Sequence, residues 1–176
     1  QLVLALSAGL DARDRIEHAS LVPDELIPLL VAAGPTVVTQ PGLVHTRGDR
    51  YLRDVPADEH DALYRLASLQ RAGIRVAASS DAPYGSPDPW LSIHAAVRRQ
   101  TAGGRPLAPA EAVDLAAAIA LHTGSLADPA TPRRLVVGAA ADLVILDATW
   151  AELHGRPEVQ TTVVGGSVTH GAWPDG

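Results

Sequence analysis

Three residues sit where a strand reading gives way to a loop and carry side chains that could do chemistry. They are His18 after Arg15-Ile16-Glu17, Gln40 after Val37-Val38-Thr39, and Asp81 after Val76-Ala77-Ala78-Ser79-Ser80. In parallel α/β barrels, reactive side chains occupy this junction. An imidazole and a carboxylate on two strand ends of one sheet make a pair of borderline-to-hard metal ligands. Plainer roles fit the same positions. A His at a strand end also serves as a hydrogen-bonding loop residue, Asp81 before Ala82-Pro83 suits a turn or a cap, and Gln40 before Pro41 suits a turn. The chain has no Cys, so thiolate sites and disulfides are excluded and a metal would have to be held by His, Asp or Glu. All 14 basic residues are Arg, which removes lysine Schiff-base chemistry. His45 and the Arg47, Arg50 and Arg53 cluster fall in a Gly- and Arg-bearing stretch, 43–55, that reads as a long loop over the mouth of the sheet. A solvated charged loop is the expectation there, with contact to substrate as the alternative. His60, His94, His122, His154 and His170 show no paired spacing and read as structural or surface residues.

The elements that must position these groups follow an alternating order. Small apolar residues over 2–10 suit a helix end, broken by Asp11-Ala12-Arg13-Asp14, and 15–18 is a short strand. Pro23-Asp24-Glu25 opens an amphipathic helix through Ala33, with acidic residues in its first turn and Gly34 at its stop. The β-branched run 36–39 is a strand, ended by Gln40-Pro41-Gly42. Apolar spacing predicts a helix over 58–72, and 74–79 is another strand. Helices are expected over 90–101 and 111–122. Strands alternating with helices through short connections imply βα units in a parallel sheet.

After Pro132 the pattern changes to strands at 135–138, 142–147 and 161–168 with Gly turns, and Val163-Val164-Gly165-Gly166-Ser167-Val168 reads as a tight hairpin. Domains are therefore expected at 1–131 and 132–176. Three such strands without covering helices are too few to stand alone and need partner strands.

Length and charge bound the rest. With 176 residues and 47% hydrophobic content the chain can bury a real core. A net charge of −6 argues against a nucleic-acid partner. No apolar run approaches the roughly 20 residues of a membrane span, and the start lacks a signal-peptide pattern. A cytoplasmic protein is the expectation. There is no Met, and the chain opens in an apolar stretch, which suggests a fragment of a longer polypeptide.

Five segments occur in a telling order: Arg15-Ile16-Glu17-His18-Ala19; Thr39-Gln40-Pro41; Ser79-Ser80-Asp81-Ala82-Pro83; Asp88-Pro89-Trp90 followed by Ala95-Ala96-Val97-Arg98-Arg99; and Val137-Gly138-Ala139-Ala140-Ala141-Asp142-Leu143-Val144-Ile145-Leu146. Together they resemble the amidohydrolase superfamily, in particular its branch of YtcJ-like enzymes and formamide deformylases, over nearly the whole chain. The resemblance implies the C-terminal part of a (β/α)8 TIM-like barrel, strands six to eight, followed by strands of a small β-sandwich domain. It implies that His18 matches the metal ligand ending strand six. Asp81 would match the aspartate ending strand eight, which binds or faces the metal and shuttles the proton. Gln40 would lie at the end of strand seven, placed for substrate contact. The cofactor implied is a divalent metal, zinc first, as one or two ions.

The family's His-x-His pair, strand-four ligand and strand-five His have no counterpart here, and two ligands fall short of the three that hold a catalytic zinc. The implied activity is metal-dependent hydrolysis of carbon–nitrogen bonds in a non-peptide amide, formamide or cyclic amide small-molecule substrate. It is expected only together with a missing N-terminal portion of the same protein, and a homo-oligomer stays open. The alternatives are a non-catalytic barrel fragment or interaction module, and a separate binding domain with a response-regulator-like sheet.

Overall fold

A computed structural model describes residues 9, 12–153 and 155–173. The helix end expected over 2–10 falls outside the described residues except for Gly9. The chain divides into two units, Gln1–Arg133 and Arg134–Gly176.

The first unit is built on a parallel sheet ordered β1 (Arg15–Glu17), β2 (Thr36–Thr39), β3 (Arg75–Ala78). Ile16 pairs with Val37 and Val37 with Val76, so the three strands run in register. β2 lies in the middle and all four of its residues are buried, which is why it reads as an unbroken β-branched run rather than an alternating one. Parallel neighbours need crossovers. The first is a 3-10 turn, Asp24–Leu26, followed by α1 (Ile27–Ala33), which Gly34 ends in the left-handed region at φ 73.

The second crossover departs from expectation. The stretch expected as a loop over 43–55 is a helix, α2 (Pro41–Asp54), so His45 and the three arginines stand on a helix rather than a loop. Pro41 occupies its first turn, where a missing amide costs nothing. Gly42 and Gly48, which read as breakers, are close-packing points instead. A Cβ at Gly48 would stand 2.5 Å from Thr101 Cγ2, and one at Gly42 would stand 3.1 Å from Leu91 Cδ2. The small residues thus let α2 approach α4 (Pro89–Arg98) at Gly42 and the segment that follows α4 at Gly48.

The helix expected over 58–72 is also broken up. A 3-10 turn, Ala57–Ala62, gives way to an extended stretch before α3 (Ala67–Arg71). Tertiary hydrogen bonds replace helical ones here. Leu63 bridges Leu21, the Tyr64 amide donates to Ser20 O (2.9 Å), and the Glu111 carboxylate accepts the Leu66 and Ser68 amides, each at 2.9 Å. Leu63 and Tyr64 go into a core with Leu43, Val44 and Leu107. α4 begins where Asp88 caps the Trp90 amide (3.0 Å) and stops short of 101 because Arg99 turns left-handed, φ 50. The helix expected over 111–122 splits into a 3-10 turn, Pro109–Glu111, and α5 (Leu115–Ala120). Asp114 caps the latter through the Ala117 amide (2.7 Å).

Arg99 locks this part of the unit. It is fully buried, and its guanidinium donates to the carbonyls of Leu63 (2.9 Å), Tyr64 (3.0 Å), Leu107 (3.2 Å) and Ala108 (3.2 Å). Burial lowers its pKa to about 10, opposed by the nearby Glu111 charge, so it stays charged at neutral pH.

In the second unit β4 (Leu143–Leu146), β5 (Val159–Val164) and β6 (Ser167–Gly171) form an antiparallel meander in that order. The hairpin turns at Gly165 and Gly166, with φ 57 and 82. Two successive positive φ values match the right-handed strand twist and favour glycine at both places. The strand expected at 135–138 does not form. Leu135, Val136 and Val137 are exposed, no strand among the described residues pairs with them, and Gly138 turns at φ 89.

The architecture is mixed α/β. Among the described residues, no helix is long and apolar enough to cross a membrane.

Candidate active site

The C-terminal edge of the parallel sheet gathers the three strand-end residues. The His18 amide donates to Val38 O (2.9 Å), carrying the ladder one residue past β1, and the Ser79 amide donates to Thr39 O (2.9 Å) past β3. Gln40 ties the middle strand to the third. Its Nε2 donates to Ser79 Oγ (3.0 Å), two residues before Asp81, and to Val38 O (3.2 Å), the carbonyl that also accepts the His18 amide. Gln40 is 2% exposed, so it is a buried strut rather than a surface turn residue. Its Oε1 and the neighbouring Thr39 Oγ1 are buried with no hydrogen-bond partner among the described residues. Buried polar atoms are rarely left unpaired, which singles out this strand end.

His18 and Asp81 share an unusual backbone. His18 has φ 68 and Asp81 has φ 55, both in the region that favours glycine. Such residues cost about 1–3 kcal/mol each and gather at functional sites. The His18 side chain is exposed and that of Asp81 is partly buried. The Asp81 loop folds back at once. The Gly85 amide donates to Asp81 O (2.8 Å), Ser80 Oγ accepts the Ala82 amide (3.2 Å), and the Ala82–Pro83 peptide is cis. Gly85 is obligatory for that return, because a Cβ there would stand 2.0 Å from Ser80 O.

His45, on α2, turns towards α4. Its Nδ1 lies 3.2 Å from Gln100 O, and it lines a cleft of about 180 Å³ with Leu91, His94, Arg98 and Thr101. Among the other histidines, His60 Nε2 lies 2.9 Å from Val55 O and His122 Nε2 lies 3.1 Å from Ser92 Oγ. Burial lowers the pKa of the half-buried His122 to about 4, so its ring is neutral at neutral pH. His154 lies outside the described residues. Among the described residues, no group of three or more His, Cys, Asp or Glu side chains is placed to hold a metal ion.

The sequence reading missed a tyrosine cluster beside Asp81. The chain has three Tyr. The Tyr51 and Tyr64 hydroxyls pair at 3.0 Å with their rings 5.6 Å apart, and Tyr51 and Tyr84 line one cleft. Burial raises the Tyr64 hydroxyl well above its ordinary range, with the Tyr51 hydrogen bond and the Asp81 charge adding to the effect. In a chain with so few aromatic residues and no Phe, the tyrosines themselves were the available signal.

Residues 4–170 match the family model described as the Amidohydrolase family. The chain belongs to this family. Within it, the chain is similar to an N-substituted formamide deformylase of Arthrobacter pascens, with 33% identity over 110 residues. That alignment covers 62% of the chain but 20% of the relative's own length. Among solved structures, an uncharacterized metal-dependent hydrolase from Pyrococcus horikoshii OT3 matches 69% of the chain and 26% of its own, with 28% identity and a TM-score of 0.60. A second uncharacterized metal-dependent hydrolase, from Pyrococcus furiosus, matches 63% of the chain and 22% of its own, with 30% identity and a TM-score of 0.54. A 5-methylcytosine deaminase from Klebsiella pneumoniae matches 96% of the chain and 43% of its own, at 21% identity and a TM-score of 0.55, a likeness of fold alone.

Proposed function

We propose that this chain is the C-terminal portion of a metal-dependent hydrolase of carbon–nitrogen bonds, with β1, β2 and β3 as strands six to eight of a (β/α)8 barrel. The second unit would then supply strands of a small β-sandwich, and the setting would be cytoplasmic. One observation carries the reading. In a chain of the Amidohydrolase family, an imidazole and a carboxylate are held on left-handed, non-glycine backbone at the C-terminal edge of one parallel sheet.

His18 and Asp81 fit a divalent ion by donor chemistry, one borderline nitrogen and one hard oxygen. They are two donors where a catalytic zinc takes three protein ligands, so the rest of the set must come from residues outside those described. When bound, such an ion lowers the pKa of water towards neutrality. Asp81 takes the proton of the attacking water and returns it to the departing amine. Gln40 holds the β3 end through Ser79 and so positions the strand end that a substrate would contact. His45, with Nδ1 facing the Gln100 carbonyl, offers Nε2 as a second substrate contact.

The test uses the natural full-length protein, with metal analysis and a panel of formamides, linear amides and cyclic amides. Hydrolysis should be abolished by a chelator and restored by zinc. Asp81→Asn should lower kcat/KM by at least about 100-fold, the usual scale of a lost general acid–base. His18→Ala should release metal. Failure of the metal-loaded protein to hydrolyse any of the panel leaves the non-catalytic reading in its place, and full activity in Asp81→Asn removes Asp81 from the proton transfer.

A further inference from the structure

Beside the Asp81 loop lies a cleft of about 330 Å³ lined by Arg47, Arg50, Tyr51 and Asp54 from α2 and by Tyr84 from the loop. Its charges are unevenly satisfied. Asp54 accepts from Arg50 Nε (3.1 Å) and from Arg53 Nε (2.8 Å), so one carboxylate serves two guanidiniums. Further along the helix, Asp49 pairs with Arg105 (2.8 Å). Arg47 has no carboxylate among the described residues. Its guanidinium carbon lies 4.7 Å from the centre of the Tyr84 ring, and its Nε is buried with no hydrogen-bond partner. A half-buried cation without a counter-ion costs free energy that a ligand carboxylate would recover. A guanidinium is the cation best shaped to take a planar carboxylate.

The cleft also adjoins the reacting edge. Tyr84 follows Asp81 by three positions in a loop closed by the Gly85 amide on Asp81 O. From the other side, the Tyr51 hydroxyl pairs with that of Tyr64, which the Asp81 charge reaches. Two aromatic rings form its walls, and aromatic walls suit a flat, apolar stem.

We propose that this cleft is a specificity subsite that receives the amine-side group of the substrate, and that this group bears a carboxylate on a planar, aromatic-like stem. Arg47 pairs with the carboxylate while Tyr51 and Tyr84 flank the stem. The assignment of the stem to the amine side rests on the hydrolase reading; the preference for an anion does not.

The experiment measures binding to the full-length protein by calorimetry, with two ketone probes that contain no carbon–nitrogen bond to hydrolyse. They are 4-acetylbenzoate and its neutral counterpart acetophenone. 4-Acetylbenzoate should bind at least tenfold more tightly. Arg47→Gln should bring the two probes within a factor of two of each other, while Arg47→Lys, which keeps the charge, should retain part of the preference. Equal affinities in the parent protein, a preference that survives Arg47→Gln, or binding of neither probe would overturn the subsite. Should Arg47→Gln fail to fold, Tyr84→Ala decides instead: at least a fivefold loss for both probes supports the cleft, and unchanged affinities refute it. Hydrolysis is scored separately on the panel of formamides, linear amides and cyclic amides, 4-formamidobenzoate among them. Anion preference without hydrolysis defeats the hydrolase reading and leaves the subsite standing, and hydrolysis without anion preference does the reverse.

Discussion

Replacing Arg99 with Met removes a guanidinium that donates to four carbonyls while leaving a side chain of comparable reach in its place. Ala108 O keeps a second donor in the Glu111 amide (3.0 Å), but the carbonyls of Leu63, Tyr64 and Leu107 lose the bonds that Arg99 gives them. Each buried acceptor left unpaired costs about 1–3 kcal/mol. The nearby Glu111 charge also loses its compensating cation. Against this stands the relief of no longer burying a charge. Measured cases in which one side of a buried charge network is removed come out near 3–5 kcal/mol, and that is the loss expected here. Arg99→Lys keeps the charge but not the planar fork, so about half that loss should remain. Denaturant unfolding of the purified protein, monitored by tryptophan fluorescence, reads both. A Met variant within about 1 kcal/mol of the parent would refute the view that the guanidinium pins the 63–64 and 107–108 segments to the end of α4.

Gly48→Ala places a methyl 2.5 Å from Thr101 Cγ2, so α2 must move away from the segment that follows α4. Thermal melting should show about 1–3 kcal/mol of destabilisation, and Thr101→Ser in the same chain should recover part of it. His122 has a pKa near 4 when folded against an ordinary 6.5, so between these values the unfolded chain takes up a proton that the folded chain refuses. Its contribution is complete above about pH 6.5 and fades as the pH falls towards 4. Stability at pH 5 should therefore fall by about 2 kcal/mol more in the parent than in His122→Gln, and parallel losses would rule this out. Tyr64 is held protonated by burial, so in an alkaline absorbance titration one tyrosine should ionise only when the protein unfolds, and Tyr64→Phe should abolish that delayed fraction.

The sheet was legible because β2 is central and wholly buried, so its residues carry an uninterrupted β-branched signal. The Gly165-Gly166 hairpin was legible because its turn geometry demands those residues. α2 was not, since a glycine that breaks a helix and a glycine that lets another helix approach look alike without the partner in view. The irregular course of 63–66 was hidden for a related reason. Its backbone is satisfied by Ser20 and by Glu111, which are distant in sequence, so local spacing favoured a helix that tertiary hydrogen bonds override. At the candidate site, the strand-end positions of His18, Gln40 and Asp81 could be read from strand boundaries. The tyrosine cluster and the unpaired Arg47 could not, because they meet only once α2 packs beside the Asp81 loop.

The left-handed backbones of His18 and Asp81 bear on how this protein would change under selection. Glycine would relieve the backbone strain at either place and remove the side chain at the same stroke. In a library screened for heat resistance alone, His18→Gly and Asp81→Gly or Asp81→Asn should therefore be enriched, each gaining up to about 1 kcal/mol. In a library screened for turnover the same codons should be purged. The two residues would then act as markers of which pressure a lineage has felt, since thermal endurance and the reaction proposed here pull their codons in opposite directions.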